Sequence, residues 1–444
     1  MHMSLIPFFI VMILSLGASY LAARKKTDYF LADRSLRWPM LIGTFLGAQI
    51  GGGFILGNTE VAFHHGYYGS MYGLGIAIGL ALLGMGFGER LRALQATTLP
   101  EILRQRYGSV AFQRIAGIVS ILSLAGGLLC QAIALKKFIL SLGFEGHTPY
   151  LLAWSMLVLY TTMGGLLAVV WTDTLQALIM IGMLVITFGA TLAFHMPTII
   201  TEASLMDHQL TGISVSSLLF PLCFIFVQQD MAQRCFAAKT STDVRIGCWA
   251  SAIGLVILTG IPTVCGILGH AMHLSPDNGA IFLQVIGRIG GQTMFVIAAS
   301  AVLLAIVSTA SAILLALSSN VAHDVVGKRK GHIVTLMAGG IAALGPYISD
   351  DIIGGLVLSY EISVGALLIP IIAAVMTKKE KLPTEAALGA AILGLLGTVF
   401  SRWMHMSLLG VAAPCLLSPL GFVGGLLLHR FRRRSTEWTP GSAL

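Results

Sequence analysis

The sequence predicts an all-α integral membrane protein with about 13 transmembrane helices, each close to the ~20 apolar residues that a bilayer requires. Three observations carry this. Of 444 residues, 56% are hydrophobic and only 10% charged, whereas a soluble domain carries about 25% charged residues. The mean hydropathy is +0.87. The Lys and Arg residues also alternate between successive connections. A soluble enzyme and a disordered chain are both excluded, because there is too little polar surface to solvate a chain of this length.

The apolar stretches lie near 4–23, 37–63, 67–88, 111–142, 149–170, 173–196, 214–234, 246–270, 290–323, 333–349, 352–377, 384–401 and 407–429. After the first come Arg24, Lys25, Lys26, Arg34 and Arg37. Basic residues follow this run instead of preceding it, so it reads as a helix and not as a cleaved leader. The third connection holds Arg90, Arg92, Arg104, Arg106 and Arg114. Later odd connections hold Arg234, Lys239 and Arg245, then Lys328, Arg329 and Lys330, then Lys378, Lys379 and Lys381. The tail carries Arg430, Arg432, Arg433 and Arg434. Of the 27 Lys and Arg, only Lys136, Lys137, Arg288 and Arg402 fall on the other side. The positive-inside rule then places the N-terminus outside and the C-terminus in the cytoplasm. Short loops without sorting or glycosylation signals suggest a bacterial inner (plasma) membrane, with the protein a monomer in the lipid bilayer. The net charge of +8 becomes a topology signal, and no nucleic acid partner is expected.

Two spans contain expected breaks. Gly51-Gly52-Gly53 interrupts 37–63, and consecutive glycines weaken a helix by about 1 kcal/mol each. In 214–234, Pro221 removes a backbone hydrogen bond, and the polar run Gln228-Gln229-Asp230 follows. These are the second and seventh spans. Their offset of five suits an inverted repeat, and broken helices near the midplane are where transporters bind solutes and ions. Glu60, Asp173, Asp230 and Glu361 lie in or at the edge of spans. Acids there are costly and point to function. With no Lys or Arg expected beside them, they would bind a cation, carry a proton or hold a substrate amine. Ser308, Thr309 and Ser311 supply uncharged oxygens of the kind that hard cations prefer.

Cys130, Cys223, Cys235, Cys248, Cys265 and Cys415 are scattered and signal neither a disulfide framework nor a metal site. His2, His64, His65, His147, His195, His208, His270, His273 and His405 fall on the outer side. His64-His65, after the first break, is the place for outer-face pH sensing or loose metal contact. No Walker loop, zinc motif or Ser-His-Asp signature stands out. The Gly-rich run 73–88 lacks a preceding strand and so is no dinucleotide site. The chain is therefore not expected to be an enzyme.

Several motifs resemble those of the sodium:solute symporters, a family with transporters for proline, pantothenate, sialic acid, sugars and choline. They are Asp28-Tyr29-Phe30-Leu31-Ala32-Asp33-Arg34-Ser35, Thr98-Leu99-Pro100-Glu101 with Arg104, Arg106 and Tyr107, Gly164-Gly165-Leu166 with Trp171-Thr172-Asp173 and Gln176, and Gln233-Arg234 with Ala237-Ala238-Lys239. The resemblance implies the leucine-transporter fold. Residues 1–36 would be a first helix and its loop, 37–196 and 197–377 the two core repeats, and 378–444 two peripheral helices with a basic tail. It implies Na⁺ as the coupling ion and no other cofactor or metal. Gly47, Ile50 and Ala305 would give carbonyls, and Ser308 and Thr309 hydroxyls. Asp173 would mark the exit path or, with Ser311, a second cation site, although Ala312 stands where a further hydroxyl is usual.

The glycine-rich first break looks most like the choline branch, but Gln49 and Gln228 stand where two Trp of its cage would sit. Gln228-Gln229-Asp230 also replaces the Gln-Pro-His run of proline-type members. The implied function is sodium-coupled import of a small polar solute, such as an amino acid, amine or other zwitterion, by alternating access. Gln49, Gly52, Gln228, Asp230, Tyr360 and Glu361 would form the solute site. The alternatives are a proton-coupled carrier using Glu361 or Asp173, and a sensor or receptor on the same fold.

Overall fold

The computed structural model describes residues 6–24, 27–144, 146–205, 212–275, 280–326, 331–347, 352–377, 381–404 and 408–437. Of the residues singled out above, Lys25, Lys26, Lys328, Arg329, Lys330, Lys378, Lys379, His2, His208 and His405 lie outside them. The helices in chain order are α1 (Ile6–Arg24), α2 (Trp38–Gln49), α3 (Asn58–His65), α4 (Met71–Leu82), α5 (Gly88–Ala93), α6 (Leu99–Tyr107), α7 (Val110–Ser141) and α8 (Thr148–Leu205). There follow α9 (Gly212–Phe224), α10 (Gln229–Ala237), α11 (Ser241–Ala271), α12 (Ile281–Asn320), α13 (Gly331–Ala342), α14 (Ile352–Met376), α15 (Thr384–Trp403) and α16 (Leu408–Glu437).

Nine helices among the described residues are long and apolar enough to cross a membrane. Gly66 (φ 57°) divides one of them, Gly53–Ala93, and Gly165 (φ 59°) divides another, Thr148–Gly189. With α1 and α13, these give the about 13 passes that the apolar runs predict. The division at Gly165 comes earlier than the expected gap near 171–172, because only a positive φ breaks the helix there. A Cβ at Gly165 would lie 2.5 Å from the Tyr29 carbonyl oxygen, and that carbonyl accepts from Leu166 N–H at 2.8 Å. The loop before α2 thus caps the kink.

Helix α12 is the centre of the bundle. Every residue from Ala298 to Asn320 is buried, as expected of a helix apolar on all sides. Helices α2, α7, α8 and α11 pack around it. The outward side chains of the surrounding helices are apolar, Leu178, Ile257 and Val399 among them. This is a lipid-facing surface, and the chain is a multi-pass membrane protein.

Basic connections meet at one end. Arg34 donates to the carbonyls of Phe236, Gln95 and Ala96, and Arg92 to those of Ala238 and Lys239. Leu36 and the segment after α10 also pair by backbone hydrogen bonds. These contacts join the first and third connections to the one that follows α10, as the charge alternation requires. Tyr29 belongs to the same loop. Burial pushes its phenol up to about 12, so it stays a neutral donor to the Thr162 carbonyl.

Candidate functional site

Both expected breaks are present, each displaced from where the residues suggest. The first falls at Ile50 (φ −86°, ψ 81°), just before the three glycines. Helix then resumes through a π-helical turn, Gly53–Gly57. The second falls between Phe224 and Gln228. Pro221 stays inside α9, and the helix continues past it, with Ile225 N–H still reaching the Pro221 carbonyl at 3.3 Å. The breaks meet: Gln49 Nε2 donates to Gln228 Oε1 at 3.1 Å.

At the first break, α2 touches α12. Thr309 Oγ1 donates to the Gly47 carbonyl at 3.1 Å. The approach depends on glycine: a Cβ at Gly47 would fall 2.7 Å from Ser308 Oγ, and one at Gly51 2.6 Å from Thr309 Oγ1. Ser308 Oγ donates to Asp173 Oδ1 at 2.6 Å. Gly47, Ser308, Thr309 and Asp173 therefore form one cluster, with Ile50 at the turn and Ala305 buried one turn earlier on α12. Ser311 stands apart, donating to the Ser308 carbonyl at 2.9 Å.

Asp173 is not free of a base, contrary to expectation. Its Oδ2 accepts from Arg234 Nη2 at 2.9 Å and from Thr44 Oγ1 at 2.6 Å. Arg234 Nε in turn donates to Thr44 Oγ1 at 2.7 Å. Arg234 is 1% exposed, so it belongs to the core and not to a connection. It also lies 4.0 Å from Asp230 Oδ2, which accepts from Gln228 Nε2 at 3.1 Å. The i,i+4 spacing of Asp230 and Arg234 is the signal that could have found this pair.

Glu361 faces away from the breaks. It pairs with Arg402 Nη2 of α15 at 3.0 Å. Glu60 likewise pairs with Lys137 at 3.3 Å. The premise of buried acids without bases therefore fails, and with it the argument for a substrate amine. None of the six cysteines forms a disulfide. No group of metal-ligating His, Cys, Asp and Glu occurs among the described residues.

Between the breaks lies a cavity of about 10 Å³, room for about one water. Gln49, Gln228, Gly51, Gly53, Thr309 and Tyr360 line it, as do Phe54, Tyr72 and Gln131. Gln131 Oε1 accepts from Gly52 N–H at 3.0 Å, and the Tyr72 and Tyr360 hydroxyls are 2.9 Å apart. Phe224 stacks on Tyr360 with ring centroids 4.0 Å apart. Of the residues predicted for the solute, Gln49, Gln228 and Tyr360 line this cavity, Gly52 adjoins it, Asp230 stands behind Gln228, and Glu361 is elsewhere. Tyr72, Gln131 and Thr44 were missed. Only mid-span polarity could have suggested them.

Two broken helices facing each other inside a packed bundle are the arrangement in which secondary transporters bind solutes and ions. The comparisons agree. A solved structure of a Na⁺-coupled sialic acid symporter, in its substrate-bound outward-open state, matches with a TM-score of 0.79 at 17% identity. That match covers 96% of this chain and 98% of the other. Mhp1, a nucleobase-cation-symport-1 family transporter in a closed conformation with a bound hydantoin, matches with a TM-score of 0.61 at 14% identity. It covers 90% and 95% of the two chains. The fold is the leucine-transporter fold with its five-plus-five inverted repeat. The sodium:solute symporter family model matches residues 29–330, and the chain belongs to that family. Its relatives include the sodium/pantothenate symporter of Escherichia coli (strain K12), 26% identical over 60% of this chain and 60% of the relative. Sodium/glucose cotransporter 1 of Sus scrofa is 24% identical over 55% and 43%. The match thus spans about half the length of these curated relatives.

Proposed function

We propose that this protein is a sodium-coupled secondary active transporter that imports a small polar organic solute. The observation that carries the proposal is the contact of the Gly47 carbonyl with the Thr309 hydroxyl, beside Ser308, across the broken α2. Neutral oxygens in a dry site suit a hard monovalent cation. Asp173 is already compensated by Arg234, so the cluster is close to neutral before the ion arrives. Na⁺ is held by Gly47, Ile50, Ala305, Ser308 and Thr309. It draws α2 against α12 and leaves past Asp173.

The repeats 37–196 and 197–377 rock about this contact. The N-terminus is outside and the C-terminus cytoplasmic, in the cell's inner membrane, which the joined basic connections support. Each charge moved inward through 100 mV releases about 2.3 kcal/mol. Coupling requires Na⁺ and solute to favour the same state.

The solute sits between the two breaks. Three carboxamides (Gln49, Gln131 and Gln228), the paired hydroxyls of Tyr72 and Tyr360, and the Phe54 ring line that space. These groups suit a neutral or zwitterionic solute with both donors and acceptors. A bare amine has less to gain there, because Arg234 already faces both nearby acids, Asp173 at 2.9 Å and Asp230 at 4.0 Å. A proton site at Asp173 or Glu361 is disfavoured for the same reason, since each faces a guanidinium.

Uptake into proteoliposomes tests the reading, with a labelled mixture of amino acids, nucleosides, sugars and amines. Accumulation should follow an inward Na⁺ gradient, and neither a matched K⁺ gradient nor a pH gradient should replace it. Accumulation driven by protons alone would retire the sodium site.

A further inference from the structure

The buried acids described so far each face a base: Asp173 and Asp230 meet Arg234, and Glu361 meets Arg402. Asp324 has none among the described residues. It lies in the π-helical turn Val321–Val326 that ends α12 and is 5% exposed. Its Oδ1 takes two donors, Thr98 Oγ1 at 2.9 Å and Gln113 Nε2 at 2.8 Å. Its Oδ2 is buried and receives none.

One turn earlier, fully buried Asn320 donates Nδ2 to Ser120 Oγ at 2.6 Å. Its Oδ1 is left without a donor. Gln113, Gly117 and Ser120 form one face of α7. A Cβ at Gly117 would sit 2.8 Å from the Asp324 Cβ. Helix α7 therefore holds Asn320 and Asp324 on the same face of α12. The two residues that carry the bare acceptor oxygens are four apart in sequence, about one helical turn.

Among the described residues, no charge around the carboxyl compensates it. Glu101 of α6 acts on it as another acid. His323 turns to the Phe30 ring and the Ser319 carbonyl. His332 of α13 hydrogen-bonds the Thr162 carbonyl. Arg114 of α7 is exposed. An ionised carboxylate buried with no counter-charge is the least favourable state of such a group.

We propose that Asp324 is a proton-binding site, a neutral carboxyl whose Oδ2–H serves the Asn320 carbonyl. One hydrogen turns a bare acceptor into a donor one turn from the other bare acceptor. A metal ion fits less well. Thr98 and Gln113 aim hydrogens at the carboxyl, and a hard cation wants about six oxygen donors. The site ties the start of α6 to α7 and to the helix that carries Ser308 and Thr309. The proton is kept while this end is shut and lost when water enters. The assignment holds whether or not Na⁺ drives transport.

Infrared difference spectra of the full chain in nanodiscs, wild type minus Asp324→Asn at neutral pH, test it. A protonated-carboxyl C=O band should be present in the wild type, shift in D₂O and vanish in the variant. Asn320→Leu should keep the band but move it towards the position of a carboxyl without an acceptor. This second shift decides the matter should Asp324→Asn fail to fold. Loss of carboxylate stretches alone, no shift in Asn320→Leu, or an Asp324 signal that changes when K⁺ replaces Na⁺ would overturn the proposal.

Discussion

The two helix breaks share a place in the fold and differ in chemistry. The first, at Ile50, has no charged side chain. It is made of glycine backbone pressed against hydroxyls of α12. The second, before Gln228, leads into a buried ion pair, with Arg234 spanning Asp230 and Asp173. Small residues give the first break its close approach, and the charged network gives the second a fixed position. A cation that must come and go suits neutral oxygens. A permanent strut suits a guanidinium, which presents five donors in a rigid fork.

Removing the strut should have the largest effect. Arg234→Met leaves two acids buried without a base and should destabilise the purified protein by about 3–5 kcal/mol, read by thermal unfolding. Adding Asp173→Leu should restore part of that loss. A full-strength Arg234→Met protein would mean that the second break is not held by charge.

At the first break, Gly47→Ala puts a methyl group 2.7 Å from Ser308 Oγ. Overpacking of this kind is worth about 1–3 kcal/mol; to the extent that it opposes closure of α2 on α12 around the ion, the Na⁺ concentration for half-maximal uptake should rise, by at most roughly 5–150-fold. Unfolding temperature should change far less than for Arg234→Met. Equal loss of stability in both would erase the distinction between the breaks.

A smaller effect is expected where the breaks meet. Gln49→Ala removes the hydrogen bond to Gln228, worth about 1 kcal/mol. Solute KM should rise several-fold while the Na⁺ dependence stays unchanged. Tyr72→Phe, which removes one hydroxyl of the Tyr72–Tyr360 pair, should have an effect of at most similar size. A shift in Na⁺ dependence from either variant would move these residues out of the solute space.

Much of the architecture was legible in the sequence because membrane folds obey two simple constraints, hydrocarbon thickness and the side preference of Lys and Arg. The break at 50–53 was legible because three adjacent glycines have few other uses within a span. The pairing of acids was not. Arg234 and Arg402 sit close to helix ends, where a positive charge reads as a connection, and only three-dimensional packing turns them towards Asp173 and Glu361. The solute cavity was half legible. Gln49 and Gln228 stood out as polar residues beside breaks, while Gln131 and Tyr72 come from other helices that no local pattern joins to them.

The central claim is that Na⁺ binds the neutral oxygens of the first break. Equilibrium binding of radioactive sodium to purified protein tests it most directly, comparing wild type with Ser308→Ala, Thr309→Ala together. The account predicts saturable binding in the wild type and none in the double variant, with Arg234 and Asp173 left in place. Binding of wild-type affinity in the double variant would contradict it.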